Sequence, residues 1–269
     1  MRRSFNRSNV SQGLARRKSR FDSGRINKRK YYGVKTEQKE MKEALEYHFT
    51  HTSVIDNIRD SLVDVDTTRE DYAEEVAAST TFLRQDSDAV LEDVEEPLQN
   101  SYEKGTRRAF NSQGDTLPPP DNVEDEVKQI LREQENYISQ LDNDLRQKAE
   151  QIIRNGLRQG HAKSRIINDL RTELENLVDN RSSTIAETET VAAASAGVMS
   201  TFEANGVEQV IWVAEIDEHT CDAGTFDVAY NGRRYTSCRE LNGETFEVPG
   251  NFPEPPQHPN CRCVLVSDE

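Results

Sequence analysis

The chain has 269 residues, 34% of them hydrophobic and 31% charged, with a single Trp and a net charge of −15. So polar a composition excludes one compact core that uses the whole length, and favours long helices with polar outer faces joined to a small terminal domain. No apolar run approaches the roughly 18 residues of a membrane span, and the start is too Arg-rich and too polar for a signal peptide. The expectation is a soluble protein with no membrane contact that is not secreted by the usual route.

The charge is unevenly spread. Residues 1–33 lack apolar periodicity and mix Arg, Ser, Asn and Gly, which predicts a flexible basic arm. It carries Arg2, Arg3, Arg7, Arg16, Arg17, Lys18, Arg20, Arg25, Lys28, Arg29 and Lys30 against one acid, Asp22, so residues 1–30 stand at +10 and the remainder at −25. Beyond residue 42 only Lys104, Lys128, Lys148 and Lys163 occur. A body this acidic repels itself at low ionic strength, and concentrated salt screens that repulsion within about 3 Å. Such a balance suits a hypersaline cytoplasm; an ordinary acidic protein is the alternative. The arm is most simply a contact for nucleic acid, with Phe5, Phe21, Tyr31 and Tyr32 spaced along it for stacking. Docking on an acidic protein surface and a merely solubilising tail are the competing readings.

From Lys35 to about Phe49 the pattern MKEALEYHF predicts a helix, and sparse apolar residues between Ser53 and Tyr72 a weaker one. Two further helical stretches, AEEVAASTTFLRQ and SYEKGTRRAFNSQG, flank Pro97. Gly114 and Pro118-Pro119-Pro120 close this N-terminal helical region, 34–117, because a Pro triplet cannot continue a helix; residues 118–122 are the predicted linker. In the central helical region, 123–206, residues Val127, Ile130, Leu131, Ile138, Leu141, Leu145, Ile152 and Ile153 form one apolar stripe on a helix of some 30 residues, punctuated by Gly156 and Gly160. A second helix runs through Ile166, Ile167, Leu170, Leu174 and Leu177. A third is predicted to start near Ser182–Thr184, where Thr184 and Glu187 have capping-box spacing, and to end at Gly206. In the C-terminal module, 207–269, the pairs Asn231-Gly232 and Asn242-Gly243 predict hairpin turns between short strands. The fold class is α+β: mainly helical, with a small hairpin-rich Cys/His module at the C-terminus.

All four cysteines, Cys221, Cys238, Cys261 and Cys263, lie in that module, and His258 stands three residues before Cys261. Thiolates and an imidazole gathered in a Pro-rich segment with little core suit a structural Zn²⁺ site, closed by four N/S ligands. The four thiols supply it, or His258 replaces one; the spacing does not choose. Neighbouring Cys261 and Cys263 point the same way if their segment is extended. Two disulfides with His258 on the surface, or free thiols, are the other readings. A catalytic Cys261/His258 pair has no accompanying oxyanion hole. His48, His51, His161 and His219 sit singly among polar residues and read as solvated side chains.

Three blocks in order resemble the Mu F-like family, the minor head proteins of tailed phages: RSSTIAETET (181–190); Trp212, Asp217, Thr220 and Cys221; and the terminal Pro-Pro-Gln-His-Pro-Asn-Cys-Arg-Cys (255–263). The resemblance covers about the last 150 residues. Family members often have Arg where this chain has Glu187, and their Cys-x-x-Cys is here spread apart by an inserted hairpin, roughly residues 224–237, that returns Cys238 beside Cys221. The resemblance implies a non-enzymatic minor capsid protein of a tailed virus, here of a haloarchaeal one. It would be bound to the portal inside the head, with major capsid or scaffold protein and, through the arm, viral DNA as further partners. It would act in procapsid assembly and in DNA packaging or ejection, and would sit in the host cytoplasm until assembled. Alternatives are a toxin-like or transferase enzyme, for which only Thr188-Glu189 offers a pair, and a stand-alone zinc-containing DNA-binding protein. A carboxylate such as Glu189 on a helix is more often solvated or capping than catalytic.

Overall fold

Helix dominates the described residues up to 204, and short strands follow it. The computed structural model describes residues 33–49, 52–62, 72–79, 82, 87–110, 115–214, 221–250 and 252–268. The basic arm as far as Tyr32 lies outside them, as do His51, Asp217, His219 and Thr220. Helices are α1 (Lys35–Phe49), α2 (Thr52–Ser61), α3 (Tyr72–Ser79), α4 (Ser87–Thr106), α5 (Val123–Arg158), α6 (Lys163–Ala204) and the single turn α7 (Cys238–Leu241). Strands are β1 (Gln209–Val213), β2 (Val228–Tyr230), β3 (Arg233–Tyr235), β4 (Thr245–Glu247) and β5 (Val264–Ser267). The α+β class holds, and no helix among the described residues is long and apolar enough to cross a membrane.

The chain divides into two compact units. The first comprises Val34–Glu103 and Asp121–Ala193 and is helical throughout its described elements. Along α5 the predicted stripe buries Val127, Ile138, Leu141, Leu145 and Ile153 and leaves Ile130, Leu131 and Ile152 half-buried. At its end Gly160 (φ +65°) adopts the left-handed conformation, with Gly160 N–H bonding Leu157 O and His161 N–H bonding Gly156 O. This Schellman closure satisfies the last carbonyls and turns the chain back into α6. Three contacts mark α5 and α6 as antiparallel neighbours: Lys148 with Glu173 at 2.8 Å, Arg181 with Asp144 at 2.6 Å, and the Gln134 amide donating to Glu189 at 2.8 Å.

Two helix boundaries differ from the sequence expectation, each for a local reason. The predicted second and third central helices are one 42-residue helix, α6. Thr184 does not cap a helix start: its hydroxyl donates to Asn180 O at 2.9 Å, and Thr188 and Thr190 bond Thr184 O and Ala186 O in the same way. A hydroxyl that back-bonds to the carbonyl four residues earlier is satisfied inside the helix, and no Pro or cap residue interrupts it. Pro97 likewise lies inside α4 rather than between two helices. Its missing N–H frees only the Asp93 carbonyl, and the Ser101 hydroxyl bonds the Pro97 carbonyl at 2.8 Å.

His48 and Glu189 are also placed differently from their expectation as solvated groups. His48 is fully buried on α1, its Nε2–H donating to Asp93 Oδ2 on α4 at 2.8 Å. Glu189 is 6% exposed, held by Gln134. The helical period turns these two positions inward, His48 beside buried Phe49 and Glu189 beside buried Thr190. His48→Ala removes a packed ring and a part-buried hydrogen bond, so it is expected to lower unfolding free energy by about 2 kcal/mol, read from the urea midpoint at constant slope.

The second unit is built from Lys104–Pro120 and Ala194–Glu269. The C-terminus of α6 closes on Gly206 (φ +68°), with Gly206 N–H bonding Glu203 O and Val207 N–H bonding Phe202 O. That second Schellman turn aims the chain into β1. β1 is the central strand of an antiparallel sheet ordered β4-β1-β5, pairing Val210 with Phe246 on one side and Trp212 with Leu265 on the other. Four of its five residues are buried. β2 and β3 form a separate hairpin whose turn, Asn231-Gly232, has positive φ at both positions (48° and 77°), as predicted. The Asn242-Gly243 pair instead joins the turn α7 to β4, with Gly243 N–H bonding Trp212 O and Asn242 Oδ1 accepting from Ala214 N–H.

Candidate metal centre

Each cysteine reaches the centre from a different piece of the second unit. Cys221 precedes the hairpin, whose base is tied when Gly224 and Thr225 N–H groups bond Thr236 O. Cys238 opens α7, where Ser237 acts as N-cap by accepting from Glu240 N–H. The bonds from Asn242 and Gly243 to Cys238 O and Trp212 O then fix this turn against β1. Cys261 and Cys263 lead directly into β5, and Cys261 N–H bonds His258 O across the turn at Asn260, which has φ 60°.

These five residues converge. The ligand atoms of Cys221, Cys238 and His258 lie within 4.8 Å of one another, as do those of Cys238, Cys261 and Cys263. Cys238 belongs to both triads. The inserted hairpin thus returns Cys238 to Cys221, whose sulfur accepts the Cys238 backbone N–H at 3.0 Å. All four sulfurs are unbridged, and those of Cys238 and Cys261 are 3.9 Å apart. A disulfide needs about 2.05 Å. Two thiolates on one tetrahedral zinc, each bonded at about 2.3 Å, stand about 3.8 Å apart. The spacing and the soft donor set therefore fit a four-coordinate thiophilic cation.

Electrostatics shows why the bare cluster is uncomfortable. Cys261 is held well below the usual thiol range, first by the hydrogen bond from Cys238 and then by that from Cys263. Cys238 is pushed far up by its bonds to Cys261 and Cys263 and by burial. For Cys263 the bond with Cys238 acts downward, but its bond to Cys261, burial and the Cys261 charge outweigh it and raise the thiol. A divalent cation bound among these buried sulfurs would lower the cost of ionising them together. His258 is raised by its hydrogen bond to Cys261.

Two neighbours had no signal as site residues in the sequence. Trp212 is fully buried, and its indole N–H has no hydrogen-bond partner among the described residues. Phe226 lies parallel to the His258 ring, with centroids 6.4 Å apart. Only the folded hairpin brings Phe226 there, so its sequence position gives no hint. The catalytic alternative gains nothing locally: the Thr188 hydroxyl is spent on Thr184 O and Glu189 on Gln134. His161 is half-buried.

A long helix that a Schellman turn leads into a small sheet, with a Cys/His cluster in the C-terminal segment, defines a helical protein with a small cysteine-containing β module. Residues 147–266 match the family described as Phage Mu protein F like protein. The family is structural rather than enzymatic. No curated protein and no solved structure matches the chain.

Proposed function

We propose that this protein is a minor capsid protein that binds the portal vertex on the inner side of the head of a tailed virus, acting in procapsid assembly and in DNA packaging or ejection. The family match over residues 147–266 carries the reading. Its work is binding rather than turnover. Helices between residues 35 and 205 offer portal subunits their contact surface, the basic arm touches viral DNA, and the Cys/His cluster holds a structural Zn²⁺ that stiffens the C-terminal module. The −25 charge of residues 31–269 and their few lysines support a virus of a halophilic archaeon, where salt screens the self-repulsion.

Co-purification with the portal protein at high salt tests this. Deleting residues 35–120 is expected to abolish recovery with portal, and deleting residues 1–30 to leave it intact while weakening DNA retention. The DNA contact should also weaken steeply with salt, since each phosphate neutralised releases counterions. Portal binding lost with the arm alone would assign the arm to protein, and no portal binding by the full chain would sink the vertex reading.

A further inference from the structure

We infer that the end of α4 and the turn behind it, with Lys104, Arg107, Arg108 and Phe110, form the folded half of a DNA contact whose other half is the basic arm. This deepens the DNA reading above and rests on it.

The charge of the body is reversed at this place. Residues 31–269 stand at −25, yet residues 104–114 carry three cations and no acid. The arginine pair Arg233-Arg234 differs, because it is spent on Glu244 and Asp227. Backbone bonds fix the turn: Arg108 N–H bonds Gly105 O at 2.9 Å, Ala109 N–H bonds Thr106 O at 3.3 Å, and Leu117 N–H bonds Ala109 O at 2.9 Å. Arg107 is exposed on it, and Lys104 and Arg108 are half-buried. Phe110 bridges to Thr116 through the backbone, and the residue is 42% exposed. A phosphate pairs with a guanidinium, while a sugar or base packs on an open aromatic ring. The ring among the cations favours a polynucleotide over an acidic protein surface.

The arm joins the described chain at the same spot. Gly33 O accepts Lys104 Nζ at 3.2 Å. Gly33 has φ +56°, and a Cβ on it would stand 2.6 Å from Arg108 Nη2. Lys28, Arg29 and Lys30 come three to five residues earlier, so they stay within about 18 Å of Gly33. A duplex held by the arm is thereby presented to Arg107 at a raised effective concentration. That coupling counts most in concentrated salt, where each phosphate contact is weak alone.

The test titrates the full-length protein with a short labelled DNA duplex of mixed sequence over a range of KCl concentrations. The slope of log K against log salt should shrink by about 1 in Arg107→Ala and be kept in Arg107→Lys. Arg234→Ala, which removes another exposed arginine of the same unit, should leave it unchanged. Ultraviolet crosslinking of bromouracil-substituted DNA to the unaltered chain needs no variant, and should give an adduct within residues 104–110. An unchanged slope in Arg107→Ala, adducts confined to residues 1–32, or loss of portal recovery with DNA binding intact would overturn the patch and leave the arm's DNA contact standing. A full chain that binds no duplex at any salt would overturn both.

Discussion

Cys238→Ser is expected to retain less than about a tenth of the zinc held by the unaltered chain and to loosen the whole C-terminal sheet. Cys238 is the donor shared by both triads, and its side chain has no exposure to solvent. A serine hydroxyl is a harder, less acidic donor that zinc does not favour, and among the described residues no other donor belongs to both triads. A metal held there would join the entry to the hairpin, the turn α7 and the segment before β5, which are far apart in sequence. Losing it returns the closure entropy of those loops to the chain. Binding of zinc by small fingers contributes about 10–16 kcal/mol to their folding. Here the sheet also buries Trp212, Phe246 and Leu265 on its own account, so the loss should be a fraction of that, on the order of several kcal/mol. The readout is convenient because Trp212 is the only Trp and lies against the site. Its fluorescence should shift to longer wavelength in Cys238→Ser and in chelator-treated protein alike. Metal should also leave as pH falls, because protons compete for the thiolates. Unchanged fluorescence and an unchanged unfolding midpoint after zinc removal would show that the sheet stands without the ion.

The parts of this fold that were legible in the sequence are those set by one residue's own preferences or by periodicity. The helix from Lys35 to Phe49, the apolar stripe on α5 and the glycine that ends it follow from 3.6-residue spacing and from the left-handed backbone of Gly160. The Asn231-Gly232 hairpin, and through it the return of Cys238 to Cys221, follow from turn chemistry. What failed depends on partners that spacing does not name. Thr184 has the signature of a cap, yet a threonine hydroxyl is equally well satisfied by the carbonyl four residues earlier, and only the unbroken helix decides. His48 is buried, and its partner Asp93 lies 45 residues away in the sequence, where spacing does not name it. At the candidate centre the five donors were visible by type. Their grouping into two triads that share Cys238 was not.

Gly105→Ala should be among the most damaging changes outside the cysteine cluster. Gly105 lies in the last turn of α4, where its Cα passes against the α6 backbone at Ala194. A Cβ there would stand 2.8 Å from the Ala194 carbonyl carbon and closer still to its oxygen. The obstacle is main chain within a helix, so no rotamer change relieves it, and the two helices must move apart. Ala194 itself is fully buried, with Ala193 and Val198 nearby in the same small-residue stretch, so separation opens a gap along the packed face. Overpacking of this kind costs about 1–3 kcal/mol and occasionally more. The better helix propensity of Ala returns at most about 1 kcal/mol of it. A net loss of about 2 kcal/mol or more is therefore expected, seen as a lower denaturant midpoint. Gly160→Ala is the control: nothing lies within 4 Å of a Cβ there, so only the positive φ opposes the substitution, at about 1 kcal/mol. Should Gly105→Ala prove as mild as Gly160→Ala, the close approach of α4 to α6 at Ala194 would not exist in solution, and the small residues of α6 would need a different reason.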